Sequence, residues 1–159
     1  GHQRPPNQVA LDRLVRGWPD VLAAVPDATP LLAGRGMATP PAGDGISYLG
    51  VVPHARDLLA QAAVFAFPCP PTSGPKMKIL DALANGVPVV TTEAGIEGIE
   101  AADSAAVVTD SDNFTAALAT LLADPPRRAQ LAAAGRATVI AHHTPAAAAA
   151  ARAQLAGRL

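Results

Sequence analysis

Short apolar runs recur along this chain, and they do not alternate with polar residues. They fall at residues 31–33, 46–49, 64–67, 89–92 and 105–108. A strand with one wet face alternates; an uninterrupted run belongs to a strand buried on both faces. Helical patterns separate the runs. Residues 8–24 carry Val9, Leu11, Leu14, Val15 and Trp18 near helical spacing, with Asn7 as N-cap and a break or restart expected at Pro19. Residues 55–63 and 75–85 also have helical patterns. Further helices are expected over 111–123, 126–141 and 145–157, parted at Asp124-Pro125 and Thr144-Pro145. Strands alternating with helices imply a parallel sheet covered on both sides, a doubly wound α/β fold. Its expected core includes Leu31, Leu32, Leu49, Val64, Phe65, Phe67, Ile79, Leu80, Leu83, Val89 and Val90.

The chain's 159 residues suffice for one ordinary domain, so residues 1–159 are taken as a single unit. Half of them are hydrophobic and 16% are charged, which argues against disorder. A net charge of -1 without a basic block gives bulk nucleic acid nothing to attract it, and 3% aromatics cannot build a base-stacking platform. The single cysteine, Cys69, excludes a disulfide framework and a cysteine zinc site and fits a reducing, cytoplasmic compartment. No apolar run is long enough for a membrane-spanning helix, and no signal-peptide pattern is visible. Abundant alanine and scarce lysine reflect a GC-rich coding bias, so alanine runs such as 146–151 carry little functional weight. A fold of this kind ordinarily opens on a strand, whereas this sequence goes from Gly1-His2 almost directly into a helix. The expectation is a fragment of a longer protein, with Gly1-His2 as a tag remnant or the first strand left out.

Common fingerprints fail. Gly34-Arg35-Gly36 lacks the third glycine of a dinucleotide turn, no phosphate-loop G-x-x-x-x-G-K-[ST] occurs, and Pro71 stands where G-x-S-x-G needs its first glycine. His54, His142 and His143 have no metal-ligand partners at convincing spacing; His142-His143 is expected as a solvated helix end.

The informative stretch is SGPKMKILDALANGVPVVTT, residues 73–92. Ser73 is expected as helix N-cap, Pro75 in the first turn and Asn85-Gly86 as the left-handed stop. The chain's two lysines, Lys76 and Lys78, fall in that first turn, the wrong end of the helix dipole for cations. A bound anion reverses the sign: exposed N–H groups, a positive dipole end and two ammonium groups make a phosphate site at the carboxyl edge of the sheet. On the helix wheel Lys78, Asp81 and Asn85 share one face and Met77, Leu80, Leu83 and Ala84 the other. Two readings stand for the first face. Lys78 and Asp81 form a solvated ion pair, or Lys78 meets a phosphate and Asp81 the hydroxyls of an attached sugar. The three glutamates, Glu93, Glu97 and Glu100, lie with Gly95 and Gly98 in the loop after the next strand. That loop either faces the same crevice or is merely solvated, with a short helix.

These segments, GRG, YLGVVP, VFAFP, SGPKMKILDALANGVPVVTTEAGIEGI and DPPRRAQLAAAGR, in this order, resemble the C-terminal nucleotide-sugar-binding domain of group-1 (family 4) glycosyltransferases. The opening RPPNQVAL and Pro26-Asp27 resemble one branch. The likeness runs over essentially the whole chain, and 73–98 is its specific part. It implies half of a GT-B fold, two Rossmann-like domains across a cleft, with an N-terminal acceptor domain elsewhere in the same protein. The implied reaction moves a sugar from a nucleoside diphosphate to an unknown acceptor with retention, without metal or cofactor. Any peripheral membrane association is expected through the acceptor domain. The family's two acidic positions, separated by seven other residues, are matched by Ser73, not acidic, and Asp81, shorter than the usual glutamate. A glycine-rich branch pattern, G-x-G-x-x-x-K, is matched by Gly74 and Lys78, with Thr72 at its first glycine. Asp81 is the implied ribose ligand and Val51 and Val52 the segment that meets the base. Ser73, Gly74, Lys76 and Lys78, with Gly95, Glu97 and Gly98, form the rest of the implied donor site. Arg4 is the nearest match for the family's early basic residue, and no catalytic residue is named. Two alternatives remain: an epimerase of the same architecture, whose catalytic acids have no place here, and a non-catalytic nucleotide-binding or scaffold domain with a decayed site.

Overall fold

The computed structural model describes residues 5–34 and 45–156. In chain order the elements are α1 (Pro5–Ala24), β1 (Leu31–Leu32), β2 (Ser47–Tyr48), α2 (Ala55–Leu59), β3 (Phe65–Phe67), α3 (Met77–Ala84), β4 (Val89–Thr92), α4 (Glu93–Ile96), β5 (Ala106–Thr109), α5 (Phe114–Leu122), α6 (Pro125–His142) and α7 (Pro145–Ala156), with a 3₁₀ turn before β5. The strands pair in parallel: β1 with β2 in one small sheet, and β3, β4 and β5 in another with β4 in the middle.

The centre of the fold is β4. Its side chains alternate between two cores because a strand sends successive side chains to opposite faces. Val89 joins Ile79, Leu83 and Ile99 on one face; Val90 joins Trp18, Val21, Phe114 and Leu118 on the other. Helix α3 therefore covers one side and α1 with α5 the other, the doubly wound parallel α/β arrangement. Burying each such side chain stabilises by about 1.5–3 kcal/mol. Glycines let the layers close up. A Cβ on Gly17 of α1 would lie 2.4 Å from Thr115 Oγ1, and one on Gly135 of α6 would lie 2.8 Å from Leu83 Cδ2.

Several expectations change. Asn7 lies inside α1 and does not cap it, and Pro19 does not interrupt that helix. Pro19 is on the exposed side, where water can serve the carbonyl it leaves without a donor. Leu49, expected in the core, is 43% exposed, because β2 is a short strand with a single pairing partner, β1, among the described residues. Leu31, Leu32, Val64, Phe65 and Leu80 are only half-buried, and Met77 and Ala84 do not belong to a core face. The stop of α3 is as expected: Gly86 takes the left-handed conformation at φ 68°, its N–H bonding to Leu83 O at 2.9 Å. Arg4, Gly1-His2 and the Arg35-Gly36 part of the glycine turn lie outside the described residues. Among the described residues no helix is long and apolar enough to cross a membrane.

Candidate functional site

Strand β3 runs into a proline-rich loop whose first residues, Pro68, Cys69 and Pro70, are buried. Two hydroxyls from β4 hold it there. Thr91 Oγ1 donates to Phe67 O at 2.7 Å and Thr92 Oγ1 to Cys69 O at 2.6 Å. Burial pushes the Cys69 thiol above its ordinary range, against the opposing pull of the Lys76 and Lys78 charges, so it stays a protonated thiol. The loop then turns at Gly74, whose φ of 83° suits glycine. Ser73 is exposed and does not cap the helix: α3 starts at Met77, its N-cap is Lys76, and no side chain caps it. The start shifts because the pinned loop delivers the chain to the helix three residues later than the Ser73 reading requires.

The two lysines have separate tasks. Lys76 folds back on its own loop. Its ammonium donates to Gly74 O and, at 3.4 Å, to Thr72 O, and it pairs with Glu97 at 3.7 Å with only 10% of its side chain exposed. Those carbonyls and that carboxylate offset the unfavourable placement of a cation at a helix start. Lys78 instead donates to Asn7 Oδ1 at the start of α1 and lies 4.1 Å from the centre of the Phe67 ring, a cation–π contact. It lines the mouth of the space between α1 and β3.

Asp81 is exposed one turn further along α3. It lines an open cavity of about 410 Å³ with Asn85 and with Pro53, His54 and Arg56 from the segment that leads from β2 into α2. Val51, 60% exposed, and Val52 precede that segment directly. The loop after β4 divides its residues. Glu97 reaches Lys76, and Gly98 approaches Pro75, so this end of the loop does face the start of α3. Glu100 turns away to His142 at 3.2 Å, the end of α6. Gly95 is buried within α4, where a Cβ would fall 1.9 Å from Thr91 Oγ1; its observed part is packing.

Ser73, Gly74, Lys76, Glu97 and Gly98 thus gather at one end of α3, with Lys78 on the α1 side and Asp81 on the α2 side. Sequence reading missed Asn7, Phe67, His54 and Arg56 as neighbours of these groups. For Asn7 the signal was there, a polar residue beside the first helical turn, but capping explained it equally well. The start of α3 follows the carboxyl end of β3 and the Glu97-Gly98 loop follows that of β4, the edge at which open α/β sheets bind their ligands.

The model of the family of group 1 glycosyl transferases matches residues 1–124. A GDP-mannose-dependent alpha-(1-6)-phosphatidylinositol monomannoside mannosyltransferase of Mycolicibacterium smegmatis is 35% identical over 140 residues, covering 74% of this chain and 36% of the relative. This chain therefore spans little more than a third of that protein's length. Among solved structures, WaaG, a glycosyltransferase involved in lipopolysaccharide biosynthesis, superposes with a TM-score of 0.62 at 17% identity, covering 79% of this chain and 38% of its own. Anabaena Alr3699/HepE in complex with UDP and glucose gives 0.58 at 18% identity over 78% of this chain and 39% of its own. The pneumococcal O-GlcNAc transferase GtfA in complex with UDP and GlcNAc gives 0.60 at 17% identity over 80% and 29%. At such identities the structural likeness establishes the Rossmann-like fold of these GT-B enzymes.

Proposed function

The chain belongs to the group 1 glycosyl transferases, and from that membership we propose that it is the donor-binding domain of a retaining, metal-independent glycosyltransferase. Its partner within the full protein is an N-terminal domain that binds the acceptor. The observation that carries this reading is the order of groups along α3. A cation, Lys78, stands at the helix start, and a carboxylate, Asp81, stands one turn later in a cavity shared with His54 and Arg56. One helical turn advances about 5 Å, a suitable step from a diphosphate to its ribose. An ionised carboxylate accepts hydrogen bonds and donates none, which suits a vicinal diol. His54 lines that cavity and Val51 and Val52 precede it in the chain, on the side that this reading gives to the base.

In this role Lys78 and the helix N-terminus stabilise the charge that develops on the departing diphosphate. Lys76 works indirectly. By gathering Thr72 O, Gly74 O and Glu97 it shapes the loop that presents Ser73 and Gly74 to the donor. The chemistry also requires an acceptor site that the matched third of the relatives' length does not supply, so residues 1–159 bind a nucleoside diphosphate weakly and do not transfer sugar. Glucose or mannose transfer by this chain alone would refute the assignment as a donor half.

Calorimetric titration tests the site. Guanosine and uridine diphosphates are titrated against wild type and Asp81→Asn, with the 2′,3′-dideoxy analogue of whichever binds. Losing charge-assisted bonds to the ribose lowers affinity about ten- to a hundredfold for the ribonucleotide and leaves the dideoxy analogue unchanged. Equal wild-type affinity for the ribonucleotide and its 2′,3′-dideoxy analogue removes Asp81 from the site. A second reading, a non-catalytic domain with a decayed site, draws on Lys76 being committed to its own loop; its signature is no saturable binding of either diphosphate.

A further inference from the structure

Lys76 and Lys78 stand side by side in the chain at the start of α3, and the groups that hold their ammonium ions differ in charge. Lys76 pairs with the carboxylate of Glu97, which counters its charge. Lys78 donates to a neutral amide oxygen, Asn7 Oδ1 of α1, and lies 4.1 Å from the centre of the Phe67 ring. We propose that Asn7 is a positioning residue for the donor diphosphate: it fixes the Lys78 ammonium before the donor arrives and leaves its charge uncancelled. The inference rests on the phosphate role of Lys78.

Both parts of the hold are fixed by packing. Ala10, one turn after Asn7 in α1, is 3% exposed and shares a core with Phe67 and Cys69. Residues three apart lie on one face of a helix, so docking Ala10 against β3 brings Asn7 to the side of the Phe67 ring. Pro6, directly before Asn7 in the first turn of α1, has φ fixed by its ring and needs no amide donor there. Phe67 is 8% exposed, and its carbonyl accepts from Thr91 Oγ1 at 2.7 Å. Acceptor and ring are thus both anchored, and the lysine conforms to them.

The chemistry favours an amide at this place. A lysine has a flexible stem, and ordering it at the moment of binding lowers affinity. An acceptor that orders it beforehand removes that loss. A carboxylate would order it too, but would cancel the charge that the diphosphate is to meet. An amide oxygen and an aromatic face hold a cation and leave its charge in place. An ammonium carries three donors, so a bond to Asn7 and a bond to a phosphate oxygen are compatible. Charge set in advance suits a departing diphosphate, because nothing has to rearrange as the negative charge develops.

The test combines nucleotide titration with NMR of the side-chain ammonium groups. Residues 1–159 with isotope-labelled lysine give two such signals, from Lys76 and Lys78. In Asn7→Leu the Lys78 ammonium gains mobility in nitrogen relaxation and that of Lys76 does not. Guanosine or uridine diphosphate, whichever binds the wild type, binds Asn7→Leu about two- to tenfold more weakly, and the matching nucleoside binds both proteins equally. In a Lys78→Ala background the same Asn7→Leu change has no further effect on the nucleotide, because the group it acts through is gone. Asn7→Asp separates affinity from stability. A carboxylate in the first turn of a helix suits the dipole, so the urea midpoint holds or rises. Diphosphate affinity nevertheless falls about ten- to a hundredfold, because the cation is neutralised. A merely structural role for Asn7 predicts affinity and stability falling together.

Unchanged Lys78 mobility in Asn7→Leu overturns the proposal, as does an equal nucleotide loss with and without Lys78. Should Asn7→Leu fail to fold, Asn7→Asp decides, and undiminished diphosphate affinity there is the overturning result. If the wild type binds neither diphosphate, or Lys78→Ala causes no nucleotide defect, the phosphate role of Lys78 fails and the proposal with it. If Lys78→Ala causes the defect and Asn7→Leu does not, the positioning role alone fails.

Discussion

Strand β4 is buried at each of its residues, whereas β1 and β2 are only half-buried throughout. Both regions come from apolar sequence. The difference is in their neighbours. Strand β4 has a partner on each edge and a core on each face, so Val89 and Val90 are both 0% exposed. The β1–β2 pair has a cavity of about 700 Å³ between it and β3, and Leu49 and Val51 remain substantially open to solvent. Apolar composition lets a strand be buried; neighbouring elements decide whether it is.

The largest expected effect tests that contrast directly. Leu83 is fully buried against β4 and α6, and Leu83→Ala lowers unfolding free energy by about 2–5 kcal/mol through lost contacts and a cavity. Leu49→Ala changes it by roughly 0.5 kcal/mol or less. Urea denaturation of both variants measures the difference, and similar losses would dissolve the distinction between the regions.

The contrast continues into the loops, with a smaller effect. Behind β3 the loop is pinned by Thr91, Thr92 and the Lys76 ammonium; behind β2, Val51 is exposed. Lys76→Ala leaves carbonyls and Glu97 without their cation and costs about 1–3 kcal/mol of stability, while Val51→Ala leaves the denaturation midpoint in place. Lys78→Ala has the complementary signature. It weakens nucleoside-diphosphate binding about ten- to a hundredfold, with less effect on the matching nucleoside and no loss of stability from the helix dipole. A nucleotide defect in Lys76→Ala as large as in Lys78→Ala, at unchanged stability, would merge the two roles.

The smallest effect is a pH dependence confined to the buried half. Burial raises the Cys69 pKa above the ordinary thiol value of 9.0. The folded state therefore keeps its thiol proton where the unfolded chain has lost it, and the folded state binds more protons. That contribution is fully present below about pH 9 and is lost as pH rises through the folded value. Cys69→Ala flattens this alkaline decline in urea midpoints measured from pH 8 to 10.5 (roughly the span of thiol titration). An unchanged slope would show that Cys69 is not the titrating group.

What the sequence determined by itself is what depends on near neighbours. Continuous apolar runs marked the parallel strands, and Asn85-Gly86 marked the end of α3, because a left-handed stop needs only its own residues. Asp124 caps α6 through its own bond to Arg127 N at 2.8 Å, again a local matter. The likeness in residues 73–98 carried the family as well. The start of α3 was not legible, because Thr91 and Thr92 hold the preceding loop from 24 and 23 residues away. Nor was the separation of the lysines: Lys78 meets Asn7 across 71 residues, while Lys76 turns into its own loop. The exposure of Leu49 was equally hidden, since it follows from which strand lies beside β2. Only the tertiary structure could decide these points, because each turns on a contact between residues that the chain brings together after its local elements have formed.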